Sequence, residues 1–452
     1  MSKTVTKYTC QSCGYISPRW IGKCPNCNEW NSFVEEISMP SSKKISYKTT
    51  ESANIVALDN VIMEENPRIK TSIEEFDRVL GGGIVAGCVV LVGGDPGIGK
   101  STLMMQFAGA IHSATVLYIT GEESLKQVRL RSERLGLSAL KNVFLLAETN
   151  MDIIMQLLEE HKPHIVIVDS IQTMYFAQME TPAGSVGQVR EATSAFTKFA
   201  KNYNIPVFLV GHVTKEGVLA GPKVIEHMVD TVLQFEGDTH YSYRILRSMK
   251  NRFCSTNEIG IFEMHDVGLR EVKNHSELFL SERKTGSTGS AVVATMEGTR
   301  PILVEVQALV TATSFNIPLR NATGFDLRRL SMLLAVLEKR VGMRLGQYDV
   351  FVNVAGGVRL DEPASDLGIA AAIVSSFRNQ SLEGQSVIVG EIGLGGEIRT
   401  INHIERRVQE AAKLGFKRIV IPKNNLKELR KENSILVTGV EDVKDATIEL
   451  LP

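Results

Sequence analysis

Leu91-Val92-Gly93-Gly94-Asp95-Pro96-Gly97-Ile98-Gly99-Lys100-Ser101-Thr102 decides the fold. From Gly94 to Ser101 it holds a complete G-x-x-x-x-G-K-S, set after the apolar run Cys88 to Val92 and before the helix-like Leu103-Met104-Met105-Gln106-Phe107-Ala108. Strand, glycine loop and helix in that order make a phosphate cradle. Glycines let backbone N–H groups curl around oxygens at a helix N-terminus, whose partial positive charge adds attraction. Residues 94–102 are therefore read as the nucleotide loop. Lys100 is expected on the β- and γ-phosphates of ATP, and Ser101 is expected to give its hydroxyl to Mg²⁺.

Outward from the loop, short apolar runs alternate with helical patterns. Ala114 to Thr120 reads as a strand, Lys126 to Leu135 as a helix, Asn142 to Ala147 as a strand and Met151 to His161 as a helix. His164 to Asp169 and Ile205 to Val210 read as two more buried strands. This alternation predicts an α/β domain with a parallel sheet, helices on both faces and ligands at the carboxyl ends of the strands. Asp169 ends one strand and suits the acid that holds Mg²⁺ through water. Glu122 or Glu123, after Leu117 to Gly121, suits the residue that orients the attacking water, and the first is favoured. His212 ends the next strand and reads either as a γ-phosphate sensor or as a core histidine.

Upstream, Ser72 followed by Glu75 predicts a capping-box start to a short helix that the glycines 81–83 terminate. Two long segments, Ile171 to Arg190 and Thr214 to Met228, read as loops; the second carries Lys215 and Lys223, either on a polymer's phosphates or on a solvated surface. Lys250-Asn251-Arg252-Phe253-Cys254 follows the expected strand Tyr241 to Ser248 and sets two cations around an amide, either to reach a neighbouring subunit's nucleotide or as a solvated strand end.

The chain has 452 residues, 50 basic and 51 acidic, for a formal charge of −1, so any nucleic-acid surface must be a local patch. The opening residues lack the apolar core of a signal peptide and no apolar run is long enough to span a bilayer, which predicts a cytoplasmic protein without membrane contact. Four of the six cysteines form Cys10-x-x-Cys13 and Cys24-x-x-Cys27, ten residues apart. Two such knuckles close one structural Zn²⁺ site, in a module too small to fold without the metal. Trp20 and Trp30 read either as covering that site or as stacking on a base, and the first is favoured. The organisation expected is a zinc module over 1–34, a linker over 35–54, an ATPase domain over 55–284 and, after a Gly/Ser/Thr stretch, a second α/β domain over 285–452.

The Cys₄ knuckles, the 94–101 loop and the cationic pentapeptide occur in one order, and in this order the chain resembles the bacterial RadA (Sms) family of RecA paralogues from end to end. The family's pentapeptide ends in glycine, where this chain has Cys254, so a left-handed backbone there would be disfavoured. The resemblance implies a RecA-like DNA-dependent ATPase that forms a hexameric ring and drives branch migration of recombination intermediates in DNA repair. It implies single-stranded and branched DNA and the RecA recombinase as partners. Catalytic roles then fall on Lys100, Glu122 and Asp169 in one subunit and Lys250 and Arg252 from the next, with His212 as γ-phosphate sensor and the two loops on DNA. The C-terminal part resembles the Lon protease domain, but Asp366 stands at the nucleophilic serine position and Glu405 near that of the lysine. No proteolysis is expected. Arg320, Arg328 and Arg329 of that domain are expected to face DNA. A KaiC-like regulatory ATPase that remodels proteins without DNA is the alternative.

Overall fold

The computed structural model describes residues 5–10, 15–26, 28–38, 68–137, 140–211, 225–237, 243–272, 276, 280, 283–284, 286–314, 317–383, 385–429 and 435–451. Cys13, Cys27, His212, Lys215 and Lys223 lie outside them. The chain divides into two compact units, 1–271 and 272–452.

The first unit opens with β1 (Val5–Cys10), β2 (Ile16–Ser17) and β3 (Phe33–Ser38), an antiparallel sheet in the order β2-β1-β3. Strand β3 runs through residue 38, into the stretch read as linker, because its register with β1 continues from Cys10↔Phe33 to Val5↔Ser38.

Next come α1 (Glu74–Val79), β4 (Val89–Gly94), α2 (Lys100–Ala110), β5 (Val116–Thr120), α3 (Leu125–Arg134), β6 (Val143–Ala147), α4 (Met151–His161), β7 (Ile165–Asp169), α5 (Val186–Tyr203) and β8 (Val207–Val210). β9 (Thr231–Glu236), β10 (Tyr243–Asn251), β11 (Ile259–His265) and β12 (Gly268–Glu271) complete a nine-stranded sheet in the order β12-β11-β10-β9-β4-β8-β7-β5-β6. The strands β4 to β8 pair in parallel, as the alternation predicted, and β9, unread in the sequence, joins β4 in parallel as well; β10 to β12 are added antiparallel, because successive short strands with no helix between them fold back as hairpins. β4 is buried throughout and feeds two cores. Val90 and Val92 join Phe76, Phe107 and Phe208 under α1 and α2, whereas Val89 and Leu91 join Met151, Ile154, Phe196 and Phe199 under α4 and α5.

Two local expectations fail. Ser72 does not cap α1: it sits at φ 63, Ile73 occupies the N-cap without a side-chain bond, and Asp77 accepts the Thr71 N–H at 2.9 Å. Glu75 instead turns its carboxylate to the Ile261 N–H at 3.1 Å, fastening α1 to β11. The segment Ile171 to Arg190 is not one long loop. Ser185 caps α5 by accepting from the Gln188 N–H, and the helix takes over from Val186.

The second unit contains a seven-stranded sheet in the order β15-β16-β14-β13-β17-β20-β21, where β13 is Ser290–Glu297, β14 Arg300–Ala312, β15 Arg320–Thr323, β16 Tyr348–Val354, β17 Ser386–Ile388, β20 Arg418–Pro422 and β21 Leu436–Val440. β18 (Glu391–Ile392) and β19 (Ile398–Arg399) form a separate pair. Its helices are α6 (Leu327–Val336), α7 (Asp366–Arg378), α8 (Ile404–Lys413) and α9 (Val443–Leu450). The unit starts before the expected boundary at 284. The Ser276 hydroxyl donates to Glu410 at 3.0 Å and accepts from the Leu303 N–H at 3.1 Å, and Leu280 packs on the core built by Val292, Leu303 and Val387.

Candidate nucleotide site and motor residues

The register lines up the acids with the glycine loop. Gly94 ends β4; Val92 lies level with Val210 of β8, Val210 with Asp169 of β7, and Asp169 with Thr120 of β5. The loop, Asp169 and the 121–124 turn thus share the carboxyl edge of four adjacent strands.

The loop needs its glycines. Gly94 and Gly99 adopt φ 148 and 117, and a Cβ on Gly94 would come within 2.9 Å of Phe235 Cβ; a Cβ on Gly97 would meet nothing, because that residue faces the open mouth. Gly99 is the N-cap of α2, which carries no side-chain cap. Its first-turn N–H groups point where phosphate oxygens would lie.

Lys100 is 4% exposed, and its Nζ donates to the carbonyls of Gly94 at 2.8 Å and Asp95 at 2.9 Å. Burial lowers its pKa, and the nearby carboxylates of Asp169, Asp95 and Glu122 oppose that shift. The four charged groups therefore occupy one field. Asp169 accepts the Tyr118 hydroxyl at 2.5 Å, and burial together with that carboxylate drives the phenol pKa well up. Glu122 accepts from the Ser170 hydroxyl, whereas Glu123 is paired with Arg131 of α3. Geometry thus separates the two glutamates that the sequence left adjacent. Tyr118, Arg131 and Ser170 were missed. Their roles depend on contacts across the sheet, for which spacing along the chain holds no signal.

The pentapeptide lies at the other edge. Asn251 is opposite Thr231, and Thr231 opposite Val90, four residues before Gly94. That sets the pentapeptide backbone roughly 13 Å from the loop along the strand direction, at ~3.3 Å per residue. Lys250 Nζ donates to the carbonyls of Glu226 at 2.8 Å, His227 at 3.3 Å and Val229 at 2.8 Å; burial lowers its pKa, with the Arg252 charge adding to the effect. Arg252 is the accessible cation. Its side chain is 57% exposed and lies 3.4 Å from buried Asp230, which also accepts Lys201 Nζ at 2.7 Å and the Val89 N–H at 3.0 Å. Cys254 is not in the left-handed region, so the cysteine is unstrained where the family has glycine. The glycine requirement falls on Gly81, at φ 83, where a Cβ would lie 2.4 Å from Cys254 Cβ.

In the N-terminal module Cys10 and Cys24 are fully buried beside Phe33. The Cys10 N–H donates to Tyr15 O at 2.9 Å and the Cys24 N–H to Glu29 O at 2.8 Å, the tight turns of two knuckles. Soft sulfur donors buried in so small a core fit a structural Zn²⁺. Trp20 and Trp30 are 53% and 69% exposed, with Lys23 Nζ 5.7 Å from the Trp30 ring.

In the second unit Arg328 is exposed, but the other two arginines face inward. Arg320 donates to the carbonyls of Leu319, Leu345 and Tyr348. Arg329 makes two 2.6 Å bonds to Asp366, which is fully buried at the start of α7 and also accepts the Ile392 N–H at 3.2 Å. Among the described residues, no helix is long and apolar enough to cross a membrane.

Family models match an AAA domain over residues 56–218, a rubredoxin metal binding domain over 8–35 and subunit ChlI of Mg-chelatase over 327–425. Among solved structures, that of the RadB recombinase overlays loosely on 45% of this chain and 99% of its own, with a TM-score of 0.37 and 21% identity. The fold is an α/β P-loop ATPase core preceded by a metal-binding ribbon module and followed by a second α/β domain. The DNA repair protein RadA of Halalkalibacterium halodurans is 55% identical over 99% of this chain and 98% of its own. Those of Listeria monocytogenes and Bacillus subtilis are 52% and 53% identical, over 100% and 99% of this chain and 99% and 98% of theirs. The chain belongs to the family of DNA repair protein RadA.

Proposed function

We propose that this DNA repair and recombination ATPase is a DNA-dependent ring motor that promotes branch migration of recombination intermediates alongside RecA, with ATP bound between subunits. Lys100 binds the β- and γ-phosphates, the backbone N–H groups of the 94–102 loop other than at Pro96 cradle them, and Glu122 directs the attacking water. Ser101 and Asp169 would hold Mg²⁺, which offsets phosphate charge. Cys10, Cys13, Cys24 and Cys27 would hold Zn²⁺, and the residues beyond β8, His212, Lys215 and Lys223 among them, respond to the nucleotide and to single-stranded or branched DNA. The exposed Arg252 acts in a neighbouring subunit's site, while Lys250 fixes the turn at 225–229 beside it. Of the C-terminal arginines, Arg328 remains the candidate for DNA. Peptidase chemistry finds no support, since a buried carboxylate paired with arginine stands where a nucleophilic hydroxyl would be needed.

The observation that carries this reading is the separation of the loop and the pentapeptide along one sheet, which favours a second subunit's nucleotide as the one Arg252 meets. The test is ATP turnover with and without single-stranded DNA at low and moderate salt. Lys100→Ala and Arg252→Ala should each be inactive alone, and mixing them should restore turnover, because some interfaces then combine an intact loop with an intact arginine. A mixture as inactive as its components refutes action across the interface. DNA stimulation that weakens with salt supports the motor. A rate indifferent to DNA favours the protein-remodelling alternative.

A further inference from the structure

Two adjacent glutamates follow β5, and one arginine distinguishes them. Arg131, from the second turn of α3, is only 18% exposed. One end of its guanidinium pairs with Glu123. The other end, Nη1, is buried without a hydrogen-bond partner and lies 3.9 Å from Asp169 Oδ2, the oxygen that the Tyr118 hydroxyl also holds. The helix that carries it is fixed at its start by a capping box, with Ser124 and Gln127 bonded reciprocally. Glu122 turns the other way, to the Ser170 hydroxyl beside Asp169.

Three carboxylates at one strand edge repel one another and would compete for the same cationic partners. A planar guanidinium presents donors on two sides and engages two of them at once, which a lysine's point charge does not reproduce. We propose that Arg131 is a positioning residue: it withdraws Glu123 from the nucleotide side, leaving Glu122 as the water-directing carboxylate. This inference rests on the ATPase reading above.

The test uses the full-length, zinc-loaded protein with ATP and a fluorescent ATP analogue. Glu122→Gln should lower kcat by about 100-fold or more with analogue binding retained, the usual scale for a lost general base. Glu123→Gln should stay within about threefold of the native kcat, and Arg131→Gln should lose about tenfold in kcat while KM for ATP stays within about threefold, a loss of positioning without a loss of binding. Arg131→Lys should fail to restore the rate. The decisive readout is coupling: in the Glu123→Gln background, where no competing charge remains, Arg131→Gln should cost less than about threefold. A merely structural arginine would cost the same in both backgrounds, and additive losses overturn the proposal. So does a Glu123→Gln variant as damaged as Glu122→Gln, a comparison that holds even if Arg131→Gln folds poorly. Lys100→Ala separates the two levels. Native turnover in that variant sinks the ATPase reading itself, whereas an inactive Lys100→Ala beside additive Arg131 and Glu123 losses sinks only this inference.

Discussion

Replacing Arg329 by leucine should destabilise the C-terminal unit while leaving the nucleotide site intact. Arg329 supplies two 2.6 Å hydrogen bonds and the counter-charge to Asp366, whose side chain is fully buried; what remains in the variant is one bond from the Ile392 N–H at 3.2 Å. Breaking a buried ion pair from one side costs about 3–5 kcal/mol, because the orphaned charge keeps its desolvation penalty. For a unit of this size each kcal/mol moves the midpoint by about 2–4 °C, so its transition should fall by roughly 6–20 °C. The loss should also depend on pH. Even with Arg329 in place, burial raises the Asp366 pKa above its ordinary value, against the opposing pull of the guanidinium. A group raised in the folded state favours folding when protonated, so its contribution is full below the unfolded pKa and is lost as pH rises through the folded one. Without the arginine the folded pKa rises further and this window widens, so the variant's deficit is large at pH 8 and shrinks toward pH 5. Differential scanning calorimetry of the full chain at both values reads this directly. Removing both partners, Arg329→Leu with Asp366→Leu, should recover most of the stability. An equal deficit at both pH values, or a loss below about 1 kcal/mol, would refute the reasoning, since the pair would then be contributing little more than an exposed one.

Three further outcomes follow from the same geometry. Gly94→Ala should abolish binding of a fluorescent ATP analogue, because the added methyl meets Phe235 Cβ at 2.9 Å and the residue sits at φ 148; wild-type affinity would contradict the loop assignment. Gly81→Ala should be strongly destabilising against Cys254, and Cys254→Gly should relieve the clash but leave about 1–2 kcal/mol from the left-handed backbone, measurable as residual loss in urea unfolding. A strong chelator should unfold the N-terminal module alone. Trp20 and Trp30 are the chain's two tryptophans, so their fluorescence reports that event while the midpoint of the ATPase core stays put, and an unchanged spectrum would argue against Zn²⁺ as the source of its folding energy.

What could be read from the sequence was whatever local chemistry dictates. The glycine loop was legible because its chemistry needs particular residues at fixed offsets, and the helix at 151–161 because a capping Asn150 and the apolar periodicity agree within one segment. Charge was not legible in the same way. Arg329 and Arg328 are neighbours with the same side chain, yet one is half-buried and paired with a carboxylate 37 residues away and the other is exposed. Glu122 and Glu123 are as similar, and an arginine of the following helix tells them apart. The Ser72 error has the same root: the capping-box pattern is present, but Glu75 gains more by reaching Ile261 in a strand that closes on α1 from nearly two hundred residues away. A charged side chain settles on the partner that compensates its desolvation, and that partner is chosen by the fold rather than by neighbours in the chain. The same rule separates the two cations of the pentapeptide. Lys250 has its donors taken up by the carbonyls of the 225–229 turn, while Arg252 keeps an exposed guanidinium beside Asp230, a carboxylate it must share with Lys201. An arginine held that loosely is the one a neighbouring phosphate can draw away.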